Sequence, residues 1–296
     1  MTAPALPQTQ LSAITKRTLW RDAVRSFTRN RLAMVGLAVV AFLVFCAIFA
    51  NVIAPEPYFK SDLAQVLQFP SLQHLLGTDA IGRDLLSRLI YGSRTSLIVG
   101  FSVQFIAFLI GVPLGALAGL RGGWVDIVVT RAIEIMTAFP GFLFALFLMS
   151  ILGNGLGNII LAVGITSWID VCRLTRAQLI ALREREFVVA ARSYGADDWR
   201  IIIRHLLPHA LPPLIIMLAL GIPSAIFAEA GLSFLGVGIN DPIASWGKMV
   251  SDSLGYISVY WYMGVFPTIT IALAMLSFNF LGDGLRDALD PTMYNV

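Results

Sequence analysis

Two histidines four residues apart, His205 and His209, have the spacing that puts two imidazoles on one face of a helix, as a zinc site needs. The segment HLLPH has no glutamate beside the first histidine, and Pro208 is expected to break the helix between them, so an interfacial histidine satisfied by its neighbours is the simpler reading. No GxSxG elbow occurs, and Ser93 and Ser233, each near glycines, have no evident base partner, which argues against an intramembrane hydrolase. The glycines of GNGLGN, residues 153–158, lack GxGxxG spacing and a surrounding strand–helix–strand unit. No GxxxxGKS/T phosphate loop exists, so any work this chain does draws its energy from a partner or an ion gradient. No catalytic residue, cofactor-binding residue or metal ligand is assigned.

Composition explains the scarcity of chemistry. Of 296 residues, 57% are hydrophobic and 13% charged, and the mean hydropathy is +0.78. Apolar runs of twenty or more residues recur, which places the chain among all-α membrane proteins. No basic, aromatic-interleaved surface argues for nucleic acid. Cys46 and Cys172 lie in or at the end of apolar runs and read as buried thiols. The first apolar run begins near Leu32, exceeds twenty residues and lacks a small-residue cleavage site, so it is not expected to be a cleaved signal.

The elements follow in order. Residues 1–31 form a cytoplasmic tail, its Pro/Gln/Thr-rich start expected to be disordered, followed by Lys16, Arg17, Arg21, Arg25, Arg29 and Arg31, a positive cluster that fixes this end inside. Span one is residues 32–54. Residues 55–93 lie outside and include an amphipathic helix at the interface, with Asp84 and Arg88 spaced to pair at i, i+4. Span two, about 95–120, carries Gly111, Gly115 and Gly119, a smooth face for close helix packing. Span three, about 125–152, carries Arg131 and Glu134 at i, i+3, then Pro140. Charges within an apolar run are costly unless paired, so these should face protein or water. An ion pair locking helix packing is the plain reading, and a part in the substrate path is the alternative. Span four is about 159–171 with an extension to 182, span five about 211–230 with Glu229 at its outer end, and span six about 259–281. The result is six transmembrane helices with both termini cytoplasmic. External Arg83, Arg88 and Arg94 dilute the charge asymmetry.

The charged segment 187–208, FVVAARSYGADDWRIIIRHLLP, divides at Gly195. Before it, Phe187, Ala190, Ala191 and Tyr194 fall on one helical face; after it, Trp199, Ile202, Ile203 and Leu206 do the same. Gly195 suits a left-handed helix end, Asp197 an N-cap, and Pro208 a helix stop. Either the inner leaflet or another cytoplasmic protein must cover these two faces.

The spacing Val189-Ala190-Ala191, Gly195, His205-Leu206-Leu207-Pro208 resembles the EAA motif of ABC-type importer permeases, with Val189 in place of the glutamate and His205 in place of an isoleucine. The stretches HLLGTDAIGRDLLSRLIYGSRTSL (74–97), RAIEIMTAFP (131–140), EAGLSFLGVGINDPIASWGKMVSD (229–252) and FNFLGDGLRDALDP (278–291) are similar to the dipeptide/oligopeptide/nickel group, and to its second permease subunit. Glu134 stands where that group commonly has Asp. The resemblance implies a type I ABC importer permease fold in the inner membrane, with residues 94–283 as the ABC type-1 transmembrane domain and 284–296 as a cytoplasmic tail. It implies four partners besides membrane lipid: a homologous second permease subunit, two ATP-binding ABC subunits and an extracytoplasmic solute-binding protein. No cofactor is implied for this chain. Ala190, Ala191, Gly195, Ala196, Asp197, Trp199, Ile202, Ile203 and Pro208 would make the ATPase-coupling corner. Short peptides are the expected cargo, because Glu134 and Glu229 are the obvious span carboxylates and no histidine sits at a span centre. A nickel or other small-solute permease is the alternative within the family, and an ion-gradient-driven secondary transporter the alternative outside it.

Proline at 195 cannot adopt a left-handed turn, so Gly195→Pro is expected to abolish co-purification of ATPase subunits with this chain. Uptake that proceeds without any ATPase would exclude the importer reading.

Overall fold

A computed structural model describes residues 19–289. The Pro/Gln/Thr-rich start with Lys16 and Arg17, and the closing Asp290-Pro291, lie outside the described residues. In chain order the helices are α1 (Leu19–Arg29), α2 (Arg31–Ile48), α3 (Ala50–Ile53), α4 (Leu85–Arg121), α5 (Gly123–Thr137), α6 (Gly141–Leu152), α7 (Leu156–Arg183), α8 (Glu186–Ser193), α9 (Asp198–Ile201), α10 (Leu207–Phe234), α11 (Trp246–Ser253) and α12 (Tyr262–Leu289). A π-helical turn, Ile202–Leu206, joins α9 to α10. Among the described residues five helical stretches are long and apolar enough to cross a membrane, and the α5–α6 pair makes a sixth crossing if its two bent halves count as one.

In its helices and ends the structure departs from the sequence reading at several places, each with a physical reason. Span three is not straight: α5 and α6 meet at 79°, where Pro140 removes a backbone donor and pushes the residue before it out of helical geometry. The interfacial helix before span two does not exist separately; it is the start of the 37-residue α4. Asp84 and Arg88 do not pair. Asp84 caps α4 by accepting from the Ser87 N–H at 2.8 Å and from the His74 ring at 3.0 Å, while Arg88 reaches other carboxylates. Residues 19–29 of the expected tail are helical, and the last helix runs on to Leu289. Asn30 caps α2 through the Leu32 and Ala33 N–H groups and donates to Asp287 at 3.1 Å, so both described chain ends meet at one end of the bundle.

Helices α4 and α7 run parallel with their backbones nearly touching. A Cβ added at Gly111, Gly115 or Gly119 would lie 2.7, 2.5 and 2.8 Å from the carbonyls of Trp168, Cys172 and Arg176 respectively. The two glycine-to-carbonyl steps of four residues are in register, so each turn of one helix rests on a turn of the other. Arg183 then donates to the Gly119 carbonyl at 3.3 Å and closes the seam at its lower end.

At the far end, residues 55–84 fold over the helix tips around a knot of charge. Asp79 Oδ2 accepts from Arg83 Nε at 2.6 Å and from Arg88 Nη1 at 3.3 Å. Arg83 also donates to Asp241 at 2.7 Å, and Arg88 to Asp252 at 3.3 Å. Lys248 donates to Asp252. Three cations thus face three carboxylates, and Arg88 is only 1% exposed. Burial opposes the Lys248 charge, but the Asp252 hydrogen bond and the Asp252 and Asp241 charges outweigh it and raise its pKa. Arg94 donates to the Ala47 and Ile48 carbonyls at 2.8 and 3.2 Å, capping the end of α2. The three arginines that diluted the charge asymmetry are therefore occupied within the protein.

Gly115→Ala is expected to lower stability by about 1–3 kcal/mol through the clash with the Cys172 carbonyl, whereas Gly157→Ala, where nothing lies within 4 Å, should be neutral or stabilising by up to about 1 kcal/mol. Denaturant unfolding in detergent measures both. By the same assay Asp79→Asn, which removes one of the carboxylates that Arg83 and Arg88 share but leaves each paired with Asp241 or Asp252, should cost about 1–3 kcal/mol. Lys60→Ala, which removes an exposed pair with Glu56, should leave the midpoint unchanged.

Candidate functional site

Two features on this scaffold can act on something outside the chain: the helical corner at the lower end of the bundle and a largely apolar cavity with a few polar groups midway along it.

The corner is built by a complete backbone cap. Gly195 has φ +79°, its N–H bonds the Arg192 carbonyl at 2.9 Å, and the Ala196 N–H bonds the Ala191 carbonyl at 3.1 Å. These are the two bonds of a Schellman motif, with Ala191 and Ala196 as its apolar pair. Asp197 occupies the extended N-cap position without a side-chain cap bond. Asp198, one residue later, accepts instead from Arg121 Nε at the end of α4 (3.0 Å). Pro208 does not stop the second helix. The chain runs as one helical stretch from Asp198 to Phe234, with Pro208 in the first turn of α10. The π turn just before it explains the tolerance. Widening the helix at Ile202–Leu206 moves the preceding carbonyls away from the proline ring, and the Leu207 N–H bonds Ile202 five residues back. His205 and His209 are on one continuous helix after all. His209 Nδ1 lies 2.7 Å from the His205 carbonyl and its ring stacks on Phe187 at 4.7 Å, so it ties α8 to α10.

Each apolar set in the corner is split between two directions. Val188, Ile201, Ile202 and Leu206 are buried against Ala116, Leu120 and Leu179 at the ends of α4 and α7. Val189, Tyr194, Trp199 and Ile203 face outward, with Tyr194 91% and Trp199 57% exposed. Ala190, Gly195 and Pro208 are also exposed, and Ala191 and Ala196 are half-buried. The bundle therefore covers one face of the corner and leaves the other open.

The cavity, about 490 Å³, lies between α4, α7, α10 and the end of α12, and Gln104, Ser167, Asp170, Ser224 and Arg286 supply its polar lining. A smaller one of about 230 Å³ adjoins it and shares the first four of these residues. Gly221 makes room for Gln104, whose Oε1 would lie 2.3 Å from any added Cβ. Asp170 belongs to no motif or periodic set in the sequence. It sits midway along α7, and its sequence position inside span four was the available signal.

Other charges resolve differently. Arg131 and Glu134 pair with each other but are 72% and 51% exposed along their side chains on α5, on the outside of this chain. The ion pair joining α5 to α7 is one the sequence reading did not find, Arg176 with Asp126, bidentate and with Nη2 to Oδ2 at 2.6 Å. Glu229 is fully buried and accepts from Ser233 at 2.9 Å and Ser245 at 2.8 Å. Ser233 therefore does have a carboxylate partner, but the pair is sealed inside the bundle and links α10 to the start of α11.

Comparison with known proteins gives this geometry a family. Residues 111–294 match the family described as binding-protein-dependent transport system inner membrane component, and residues 18–70 match the N-terminal TM domain of oligopeptide transport permease C. The chain is 42% identical over 287 residues to the dipeptide transport system permease protein DppC of Alkalihalophilus pseudofirmus, covering 97% of this chain and 93% of that one. It is 40% identical over 275 residues to the oligopeptide transport system permease protein OppC of Bacillus subtilis, covering 93% and 90%. Among solved structures, an inward-facing form of the MetNI methionine ABC transporter aligns over 69% of this chain and 96% of that one, with a TM-score of 0.57 at 22% identity, a likeness of fold. On these matches the chain belongs to the binding-protein-dependent transport system inner membrane components, as a multi-pass inner-membrane permease of an ABC transporter that works with an ATPase and a binding protein.

Proposed function

We propose that this chain is the second permease subunit of an ATP-driven importer of short peptides. It forms half of the translocation path beside a homologous permease, and one of the two ATPase subunits seats on its 187–208 corner, the other on the matching loop of the second permease. The observation that carries this reading is the split corner. One face, Val188, Ile201, Ile202 and Leu206, is locked onto the ends of α4 and α7, and the other presents Tyr194, Trp199, Val189 and Ile203 uncovered. Exposed aromatic side chains on a rigid backbone are what a protein partner's cleft recognises. The anchored face passes a push on the corner directly into the helices that border the cavity. ATP-driven closure of the ATPases then biases the spans between two arrangements by its differential affinity for them. Peptide cargo is supported by the relatives' names, which are dipeptide, oligopeptide and glutathione permeases at 38–42% identity over nearly the whole chain.

In the assembled transporter, Trp199→Ala should weaken ATPase binding by about 2 kcal/mol, roughly 30-fold. Its exposure means that the unfolding midpoint of the permease itself should stay unchanged. Co-purification and peptide-dependent ATP hydrolysis read the first effect. Vesicle uptake of a dipeptide against Ni²⁺ reads the cargo. Uptake of Ni²⁺ alone would replace the peptide reading with the nickel one, and uptake independent of ATP would remove both.

A further inference from the structure

We propose that Asp170 is the cargo's ammonium subsite, the point in the translocation path that receives a protonated amine, which for a peptide is its α-ammonium group. The inference rests on the importer reading above and specifies what the cavity recognises.

Asp170 occupies the middle of α7, a helix long and apolar enough to cross the membrane. Among the described residues it has no ion pair and no hydrogen-bond partner, although every other acidic side chain of α4–α7 and α10 is engaged. Asp126 holds Arg176, Glu134 holds Arg131, and Glu229 holds two serines. An unpaired carboxylate at that depth is costly unless it lines a water-filled space, and Asp170 lines both cavities. It is the single acidic residue on either lining.

The neighbours suit an ammonium ion better than a metal. An ammonium group brings three donors and needs one anion and neutral acceptors around it. Gln104 offers a carbonyl oxygen. The hydroxyls of Ser167 and Ser224 spend their protons on the Val163 and Leu220 carbonyls, at 2.8 and 3.3 Å, which leaves their lone pairs free to accept. A divalent ion would call for more carboxylates or imidazoles than one aspartate. Arg286, the other charge on the larger lining, likewise has no ion-pair partner among the described residues. A cavity with one carboxylate and one guanidinium complements a zwitterion.

The test uses the complete transporter with its ATPases in nanodiscs. Met217→Cys places a reporter thiol on the cavity wall at a residue outside the polar subsite, and both native cysteines are buried. Its labelling rates with a cationic trimethylammonium-ethyl and an anionic sulfonatoethyl methanethiosulfonate are compared with Asp170 present and in Asp170→Asn. The cation-to-anion rate ratio should fall about tenfold in Asp170→Asn, as loss of one nearby charge requires. Alanyl-alanine should slow labelling when Asp170 is present and not in Asp170→Asn, and N-acetyl-alanyl-alanine should slow it in neither. Asp170→Glu should restore the ratio, which a merely structural aspartate would not. An unchanged ratio overturns the proposal, as does equal protection by the free and acetylated peptides. A ratio that falls as expected with no protection by either peptide supports the ammonium subsite while rejecting peptide cargo, so the two readings fail separately.

Discussion

The contact between α4 and α7 sets the positions of everything that acts. Lipid offers helices no hydrophobic reason to associate, so close packing and internal hydrogen bonding must do it. Here three glycines let one backbone rest on the carbonyls of the other over three consecutive turns. The face of α7 that carries Trp168, Cys172 and Arg176 is committed to that seam, and Ser167, Asp170 and Leu174 are left to turn toward the cavity. The lower ends of the same two helices, with Leu120 and Leu179, form the floor on which the corner is anchored. The cavity and the corner are thus positioned by one interface.

What was legible in the sequence was whatever depends on neighbours along the chain. Helical periodicity, the run lengths of the spans and the glycine at 195 each declare themselves within a dozen residues. The resemblance of the 187–208 spacing to the EAA motif led to the family that the comparisons then established. What was not legible depends on residues brought together from afar. The knot joining Asp79, Arg83 and Arg88 to Asp241 and Asp252 spans more than 150 positions. Local pairing rules therefore assigned Arg88 to Asp84, four residues away. The outward and inward halves of the corner could not be sorted either, because periodicity defines an apolar face but not the floor that covers part of it. Pro140 and Pro208 make the same point from opposite sides. One bends a span sharply and the other sits in an unbroken helix, and the difference lies in the π turn that precedes Pro208.

Charge is handled in two distinct ways along the bundle. At the far end it is concentrated and neutralised, three cations against three carboxylates, which holds the irregular segment 55–84 over the helix tips. Within the bundle it is sparse and mostly answered by one partner each. The exception on the cavity wall stands out because every neighbouring acid follows the rule.

The unbroken run from Asp198 to Phe234 contains 37 residues, about 55 Å at about 1.5 Å per residue. Its lower end carries the exposed Trp199 and its upper part carries the sealed Glu229. Such a rod, held near one tip where Glu229 accepts from Ser245 at the start of α11, would act as a lever with its pivot beyond the cavity. A tilt of about 5° about that pivot would sweep the corner by roughly 4 Å. Most of the travel would be delivered where the corner is, and the cavity wall in between would move by a fraction of it.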